Sequence, residues 1–159
     1  MSEQRAIDAL EASGLTYEIT RHGRAGSLAE AAAARGVAPR DLIKTLVVRR
    51  AAGDFLFVLV PGDREISWPK LRALLEVSRL SMPDKDVAKE ATGYERGTIT
   101  PFGATTAWPV IADASLSGDP ARLISLGAGA HGVAATVPAD AALAHLEARI
   151  ADITEIQAG

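Results

Sequence analysis

The sequence predicts an α+β fold: a single domain in which a mixed, mostly antiparallel β-sheet is surrounded by short helices. Three observations carry this reading. Strand-like and helix-like runs interleave irregularly, and several helical runs are under ten residues long, which does not suit a regular doubly wound fold. Two β-rich runs, Leu42–Arg49 and Phe55–Val60, are separated only by Ala51-Ala-Gly-Asp54, a hairpin signal. The 159 residues contain no internal repeat, low-complexity linker or charge block, so 1–159 reads as one domain.

The elements follow in order. Ala6, Ile7 and Leu10 recur at helical spacing over residues 3–13, with Gly14 able to close the end. Leu15, Tyr17 and Ile19 alternate as in a half-buried strand. Ser27-Leu-Ala-Glu30 is a capping-box pattern that opens an alanine-rich helix ending at Gly36. Beyond the hairpin, Pro61-Gly62 makes a turn. Ser67-Trp-Pro-Lys starts a short helix through Leu75, with proline tolerated in the first turn. Ser81-Met-Pro-Asp84 starts another through Ala91, stopped by Gly93. Trp108–Ala112, Arg122–Leu126 and Val133–Val137 read as strands, Pro138–Leu146 as a helix, and Arg149–Ile153 as a last strand.

Composition removes several kinds of chemistry. The absence of cysteine excludes a disulfide framework, a thiolate zinc site and a cysteine nucleophile. The first residues show no basic region followed by an apolar core, so no signal peptide is expected. No apolar run approaches the ~20 residues a membrane helix needs. A cytoplasmic protein with no membrane partner is therefore expected. With a net charge of −3 and 4% aromatic residues, a long grip on nucleic acid or a base-stacking platform is not expected.

Three segments could carry chemistry. Gly127-Ala-Gly-Ala-His-Gly132 matches the dinucleotide fingerprint letter for letter. That fingerprint needs a helix directly after it, with an acidic residue further on. Here strand-like Val133-Ala-Ala-Thr-Val137 and Pro138 follow instead, so no cofactor is expected. Two readings remain. One is a glycine turn between strands. The other is a backbone whose N–H groups approach a carbonyl that becomes an oxyanion.

Lys44 lies in the apolar run Leu42-Ile-Lys-Thr-Leu-Val-Val48. It is either a solvated lysine on an alternating strand or a cation at a pocket mouth, and alternation does not separate the two. At a pocket mouth, a lysine 4 Å from a phosphate or carboxylate gains about 4 kcal/mol at an effective dielectric near 20. The third segment is the loop Gly93-Tyr-Glu-Arg-Gly97-Thr-Ile-Thr-Pro101-Phe-Gly103, which periodicity does not explain. It is either a plain connection or a site-lining loop. Of His22, His131 and His145, none falls in a metal-ligand pattern, so no metal is expected. His145 reads as a surface residue of the last helix. No G-x-S-x-G elbow exists.

Taken together and in this order, Ile43-Lys-Thr-Leu-Val47, Ala91-Thr-Gly-Tyr94 with Gly97-Thr-Ile-Thr-Pro101-Phe-Gly103, and Gly127-Ala-Gly-Ala-His-Gly132 resemble the YbaK family of prolyl-tRNA editing domains. Ala6–Ile19 and Pro138–Ile153 look like the family as well, so the resemblance covers essentially the whole chain. It implies a mixed sheet surrounded by helices. It also implies a hydrolase of the ester between a mischarged amino acid, cysteine or alanine, and tRNA(Pro). The implied type is free-standing, and the implied partner is the tRNA acceptor end. A prolyl-tRNA synthetase could hold the rest of the tRNA, and DNA is not a partner.

The resemblance further implies roles by position. Lys44 would hold the terminal adenosine or its phosphate, with Thr45 beside it. Gly97, Thr98, Ile99, Thr100 and Pro101 would shape the amino-acid pocket. Gly127 and Gly129 would face the scissile ester, and His131 would touch the tRNA end or assist the water. His22 would also contact the substrate. Two positions depart from the family: His22 stands where some members have tyrosine, and Ala134 where some have aspartate. These departures leave two rivals open, a binding module that kept the pocket without activity and a hydrolase of another small acyl ester.

Overall fold

The computed structural model describes residues 2–23 and 25–157. The chain begins with α1 (Ser2–Ser13), which buries Ala6 and Leu10 and turns at Gly14. Strand β1 (Glu18–Arg21) starts three residues later than Leu15, so the expected alternation is mostly approach rather than strand. Helix α2 (Leu28–Arg35) has the expected cap: the Ser27 hydroxyl accepts from the Glu30 amide at 3.1 Å. Glu30 reaches back one residue further than a capping box requires, accepting from the Gly26 amide at 2.8 Å.

Strands β2 (Ile43–Ala51) and β3 (Asp54–Pro61) form the predicted hairpin. Then come β4 (Arg64–Ile66), α3 (Trp68–Leu75) and α4 (Lys85–Thr92). The cap of α4 is Asp84 rather than Ser81; its carboxylate accepts from the Val87 amide at 2.9 Å. Ser81 instead exchanges both backbone bonds with Arg49, at 2.7 and 3.1 Å. The remaining elements are β5 (Val110–Asp113), β6 (Leu123–Gly127), β7 (Val133–Pro138), α5 (Ala139–His145), β8 (Arg149–Ala151) and β9 (Thr154–Ile156).

The strands pair in three groups: β1-β7-β6, β2-β3-β5-β8 and β4-β9. Pairing is antiparallel except where β5 lies parallel between β3 and β8. The predicted mixed, mostly antiparallel character holds, but the sheet is interrupted. One isolated parallel bridge, Leu42 to Ser125, joins β2 to β6. Beyond it the two strands are not hydrogen-bonded, and that break is where the pocket described below lies.

Alternation along β2 and β3 sends side chains to two apolar clusters. Phe57, Leu59, Tyr94 and Ile124 belong to the larger, and Val48, Val58, Val60 and Ile153 to the smaller. Among the described residues no helix is long and apolar enough to cross a membrane.

Asp113 pins the far end of this frame. Burial alone would raise its carboxyl, but hydrogen bonds from Ser115, Thr154 and the Ile153 amide hold it below the ordinary carboxylate value. A depressed carboxyl contributes stability above its unfolded value, and that contribution is lost as pH falls through the folded one. Thermal melts from pH 7 to pH 3 will therefore show a stability loss on acidification that is smaller in Asp113→Asn. At pH 7, Asp113→Ala will cost about 1–3 kcal/mol, because the buried Ile153 amide loses its acceptor.

Candidate functional site

The sequence places Lys44, the Gly97 loop and Gly127 far apart, and the fold brings them to one place. A pocket of about 340 Å³ is lined by Leu42 and by Ile43–Val47 of β2, by Gly97 and Ile99, by Gly127 at the end of β6, and by Met82, Pro83 and Ala88 before and within α4. Arg35, Arg96 and Lys44 are its cations. The walls are otherwise mainly apolar, an arrangement that suits a small organic group carrying an anion.

The pocket exists because two parallel strands diverge. Ser125 meets Leu42, but two residues further on, Gly127 and Lys44 stand on opposite sides of the opening. The backbone of Gly127 faces this opening. Ala128 donates to the Val133 carbonyl across β7. Hydrogen-bonded and non-bonded pairs alternate along an antiparallel ladder, so the Gly127 N–H points away from β7. Gly129, by contrast, spends its amide on the Thr98 carbonyl at 3.0 Å, and its carbonyl accepts from the Ser2 hydroxyl at 2.6 Å. The two glycines thus differ: Gly127 lines the pocket, whereas Gly129 sits in a buried turn with φ +86°.

Lys44 is half-buried. Its ammonium donates to the Arg64 carbonyl at 2.6 Å, which leaves two of its three donors for the pocket. Burial pushes its pKa below the ordinary lysine value, and the nearby Glu65 and Asp63 oppose that shift. The bland reading of Lys44 as a solvated strand lysine does not describe this position. Thr45 also lines the pocket, and its hydroxyl oxygen is buried without a hydrogen-bond partner among the described residues.

The loop between α4 and β5 is held from behind. Arg5 of α1 donates to the carbonyls of Gly93 and Gly103, both at 2.8 Å, and its guanidinium lies 4.7 Å from the centre of the Tyr94 ring. The Tyr94 hydroxyl donates to the Phe102 carbonyl at 2.6 Å. Thr98 and Thr100 are buried and serve the loop itself. The Thr98 hydroxyl donates to the Glu95 carbonyl at 2.7 Å, and Thr100 accepts from the Phe102 amide at 3.2 Å. Pro101 faces a different cavity, beside Phe102 and Trp108. From this loop Arg96, Gly97 and Ile99 line the pocket.

The histidines stand apart from it. His131 is exposed, 3.5 Å from the Glu95 carboxylate, in a shallow depression with Gly129 and Thr98. His22 lies at the end of β1, its amide donating to the Gly132 carbonyl at 2.9 Å. Its Nε2 is buried without a partner among the described residues. His145 is exposed, as expected, and stacks on Phe102 with ring centres 5.9 Å apart. Ala134 is fully buried, directly opposite Gly127 across the β6–β7 ladder.

Sequence reasoning missed Arg35 and Arg96. Arg35 ends α2 and reads as an ordinary helix-terminal cation. Its Nε is buried without a partner among the described residues, and burial lowers its pKa. A second basic feature follows the pocket along β2, where Arg49, Arg50, Arg72 and Arg79 surround a groove next to Ser81. These arginines are scattered in sequence, so no charge run announces them. Among the described residues no cluster of three or more histidine, aspartate or glutamate side chains could hold a metal ion.

Comparison with known proteins adds a second line. A family model described as an aminoacyl-tRNA editing domain matches residues 22–144. The Proline--tRNA ligase of Bacillus licheniformis is 32% identical over 87 residues, which is 55% of this chain and 15% of that protein. The Proline--tRNA ligase of Geobacter sp. (strain M21) is 35% identical over 92 residues, 58% of this chain and 16% of that protein. The chain thus matches only a small part of these relatives. The crystal structure of a proposed trans-editing enzyme for prolyl tRNA synthetase superposes with a TM-score of 0.86 at 25% identity, covering 97% of each chain.

Proposed function

The chain belongs to the aminoacyl-tRNA editing domain family, and from that membership we propose that it acts in trans as a deacylase. Its substrates would be mischarged tRNA(Pro), with Cys- or Ala-tRNA(Pro) as the species cleared. The observation that carries the proposal is the convergence of Lys44, Gly97, Ile99 and Gly127 on one small pocket. The relation to proline--tRNA ligases supports the choice of tRNA.

An aminoacyl ester is already activated, so positioning and charge stabilisation suffice. In the proposed reaction the Lys44 ammonium holds a phosphate of the acceptor end. The aminoacyl group lies between Gly97–Ile99 and Gly127. Water, aligned with help from the neighbouring ribose hydroxyl, attacks the ester carbon. The Gly127 amide receives the developing charge on the carbonyl oxygen, a contribution of about 3–4 kcal/mol for one such donor. The bond to the ribose oxygen breaks and that oxygen takes the proton, releasing free amino acid and uncharged tRNA. This chain's own residues supply all of these contacts, and the reaction would run in the cytoplasm, where tRNA is charged.

The net charge of −3 fits a protein that grips only the acceptor end, with Arg49, Arg50, Arg72 and Arg79 along the outgoing strand. Affinity for uncharged tRNA(Pro) will then fall with salt at a log–log slope of about −4 or shallower, one counterion for each of a few contacts. A slope near that of an extended binder would contradict this grip.

The experiment that tests the proposal is a deacylation panel. Purified protein is incubated with Cys-, Ala-, Ser- and Pro-tRNA(Pro) and with unrelated small amino-acid esters. Release from Cys- or Ala-tRNA(Pro), with Pro-tRNA(Pro) spared, is the expected result. Binding without release from any of them supports a binding module instead, and release from the small esters alone supports a general esterase. The two departures at His22 and Ala134 favour neither rival by geometry. Ala134 is fully buried opposite Gly127 and does not line the pocket.

A further inference from the structure

The outer edge of β2 carries hydrogen-bonding groups that the fold leaves unused. Arg49 turns its N–H and C=O away from β3, toward Ser81. Phe57, opposite Val47, likewise turns its amide away from β2, donating to the Pro109 carbonyl at 2.8 Å. Both facts set the phase of the ladder. Ile43, Thr45, Val47 and Arg49 all face outward. Arg49 is paired at one end, and the Leu42–Ser125 bridge closes the other. Between these two closures lie Thr45 and Val47. No described group pairs with their outward N–H and C=O, and both residues line the pocket. Val47 is only 4% exposed, and buried backbone groups are almost always paired. The buried, partnerless Thr45 hydroxyl lies on the same strip.

We infer that this strip, the Thr45 carbonyl and the Val47 amide, recognises the Watson–Crick edge of an adenine, the terminal base of the acceptor end. An outward carbonyl followed by an outward amide two residues on is an acceptor beside a donor in one plane. Adenine presents the complement, the N6 amino group as donor and N1 as acceptor. An aminoacyl group also offers a donor, its ammonium, and an acceptor, its ester carbonyl, but in the proposed reaction that carbonyl is taken by the Gly127 amide, which would leave the Val47 amide unpaired. The half-exposed Met82 and the buried Pro83 line the same pocket. The Arg96 guanidinium, which donates to the Pro83 carbonyl at 3.3 Å, lies beside them. Those neighbours suit the faces of a flat, apolar ring. This inference rests on the deacylase reading, and it assigns the adenine to backbone rather than to any side chain.

The test uses the unmodified protein and altered RNA. Short hairpin minihelices with a tRNA(Pro) acceptor stem are aminoacylated chemically with alanine, so that no synthetase must accept the altered end. Their last nucleotide is adenosine, purine riboside (no N6 amino group), 1-deazaadenosine (no N1 acceptor) or 7-deazaadenosine (Watson–Crick edge intact). Leaving one buried partner unpaired will lower kcat/KM about tenfold for purine riboside and for 1-deazaadenosine. The 7-deaza substrate will stay within about twofold of adenosine, since it loses neither contact. Equal rates for all four ends would overturn the inference while leaving the deacylase reading intact. No hydrolysis of the adenosine-ended substrate would overturn the deacylase reading. In that case the affinities of the four uncharged minihelices decide the strip, with the same ranking expected.

Discussion

Lys44→Ala will lower kcat/KM for mischarged tRNA(Pro) about a hundredfold, which corresponds to about 2.7 kcal/mol of transition-state stabilisation. This is less than the full Coulomb energy of a close lysine–phosphate pair, because Lys44 is half-exposed and solvent screens it. The melting temperature will move little, since the substitution removes a charge whose burial disfavours it. Lys44→Arg will restore part of the rate by keeping the charge, though a planar fork does not replace a compact ammonium tethered to the Arg64 carbonyl.

The pKa of Lys44 also gives this residue a signature. Its cationic form is lost at a lower pH than that of an ordinary lysine. The ratio of wild-type to Lys44→Ala rates will therefore shrink as pH rises toward that value, and be largest at neutral pH and below. A ratio that is flat with pH would separate Lys44 from the charge it is proposed to supply.

The second large effect separates two glycines that look alike in sequence. A Cβ at Gly127 would lie 3.3 Å from the Ile99 carbonyl oxygen and 3.4 Å from that of Thr98. The backbone can adopt the conformation, but the loop must yield by a few tenths of an ångström, and it forms the opposite wall of the pocket. Gly127→Ala will therefore fold with nearly native stability and lose about 10- to 100-fold in kcat/KM, as small displacements of a positioning wall do.

At Gly129 the same change meets the Ser2 carbonyl oxygen at 2.6 Å and a Tyr94 ring carbon at 2.9 Å, with φ at +86°. Overpacking and a left-handed backbone combine there, so Gly129→Ala will destabilise the protein by about 2–4 kcal/mol. Melting curves and deacylation rates of the two variants, measured side by side, check this division. Equal loss of stability in both would mean that Gly127 is only a turn residue.

These glycines also show how far sequence carries. Three glycines in Gly127–Gly132 permit both a turn and a close approach, and the letters do not say which residue does which. Register decides. Gly129 and Gly132 take the positive φ of the β6–β7 connection, while Gly127 still belongs to β6 and faces the opening. The hairpin of β2 and β3, and the caps at Ser27 and Ser67, were legible because each is written in neighbouring residues. Strands β4 and β9, three residues each, have no period to read. The same holds at the pocket. Lys44, Gly97, Ile99 and Gly127 could be named from motifs, and Arg96 stands beside Gly97 in the same loop, whereas Arg35 reaches the pocket only through tertiary placement. Thr98 and Thr100 lie within a recognisable motif, yet their hydroxyls bond to the loop's own backbone.

The most direct test of the central claim is turnover. Ala-tRNA(Pro) or Cys-tRNA(Pro) is supplied in large excess over the protein, and free amino acid is followed with time. Many equivalents of amino acid will be released per protein, little from Pro-tRNA(Pro), and near-background amounts with Lys44→Ala. Release that stops at or below one equivalent, or that proceeds equally well with Lys44→Ala, would contradict that claim.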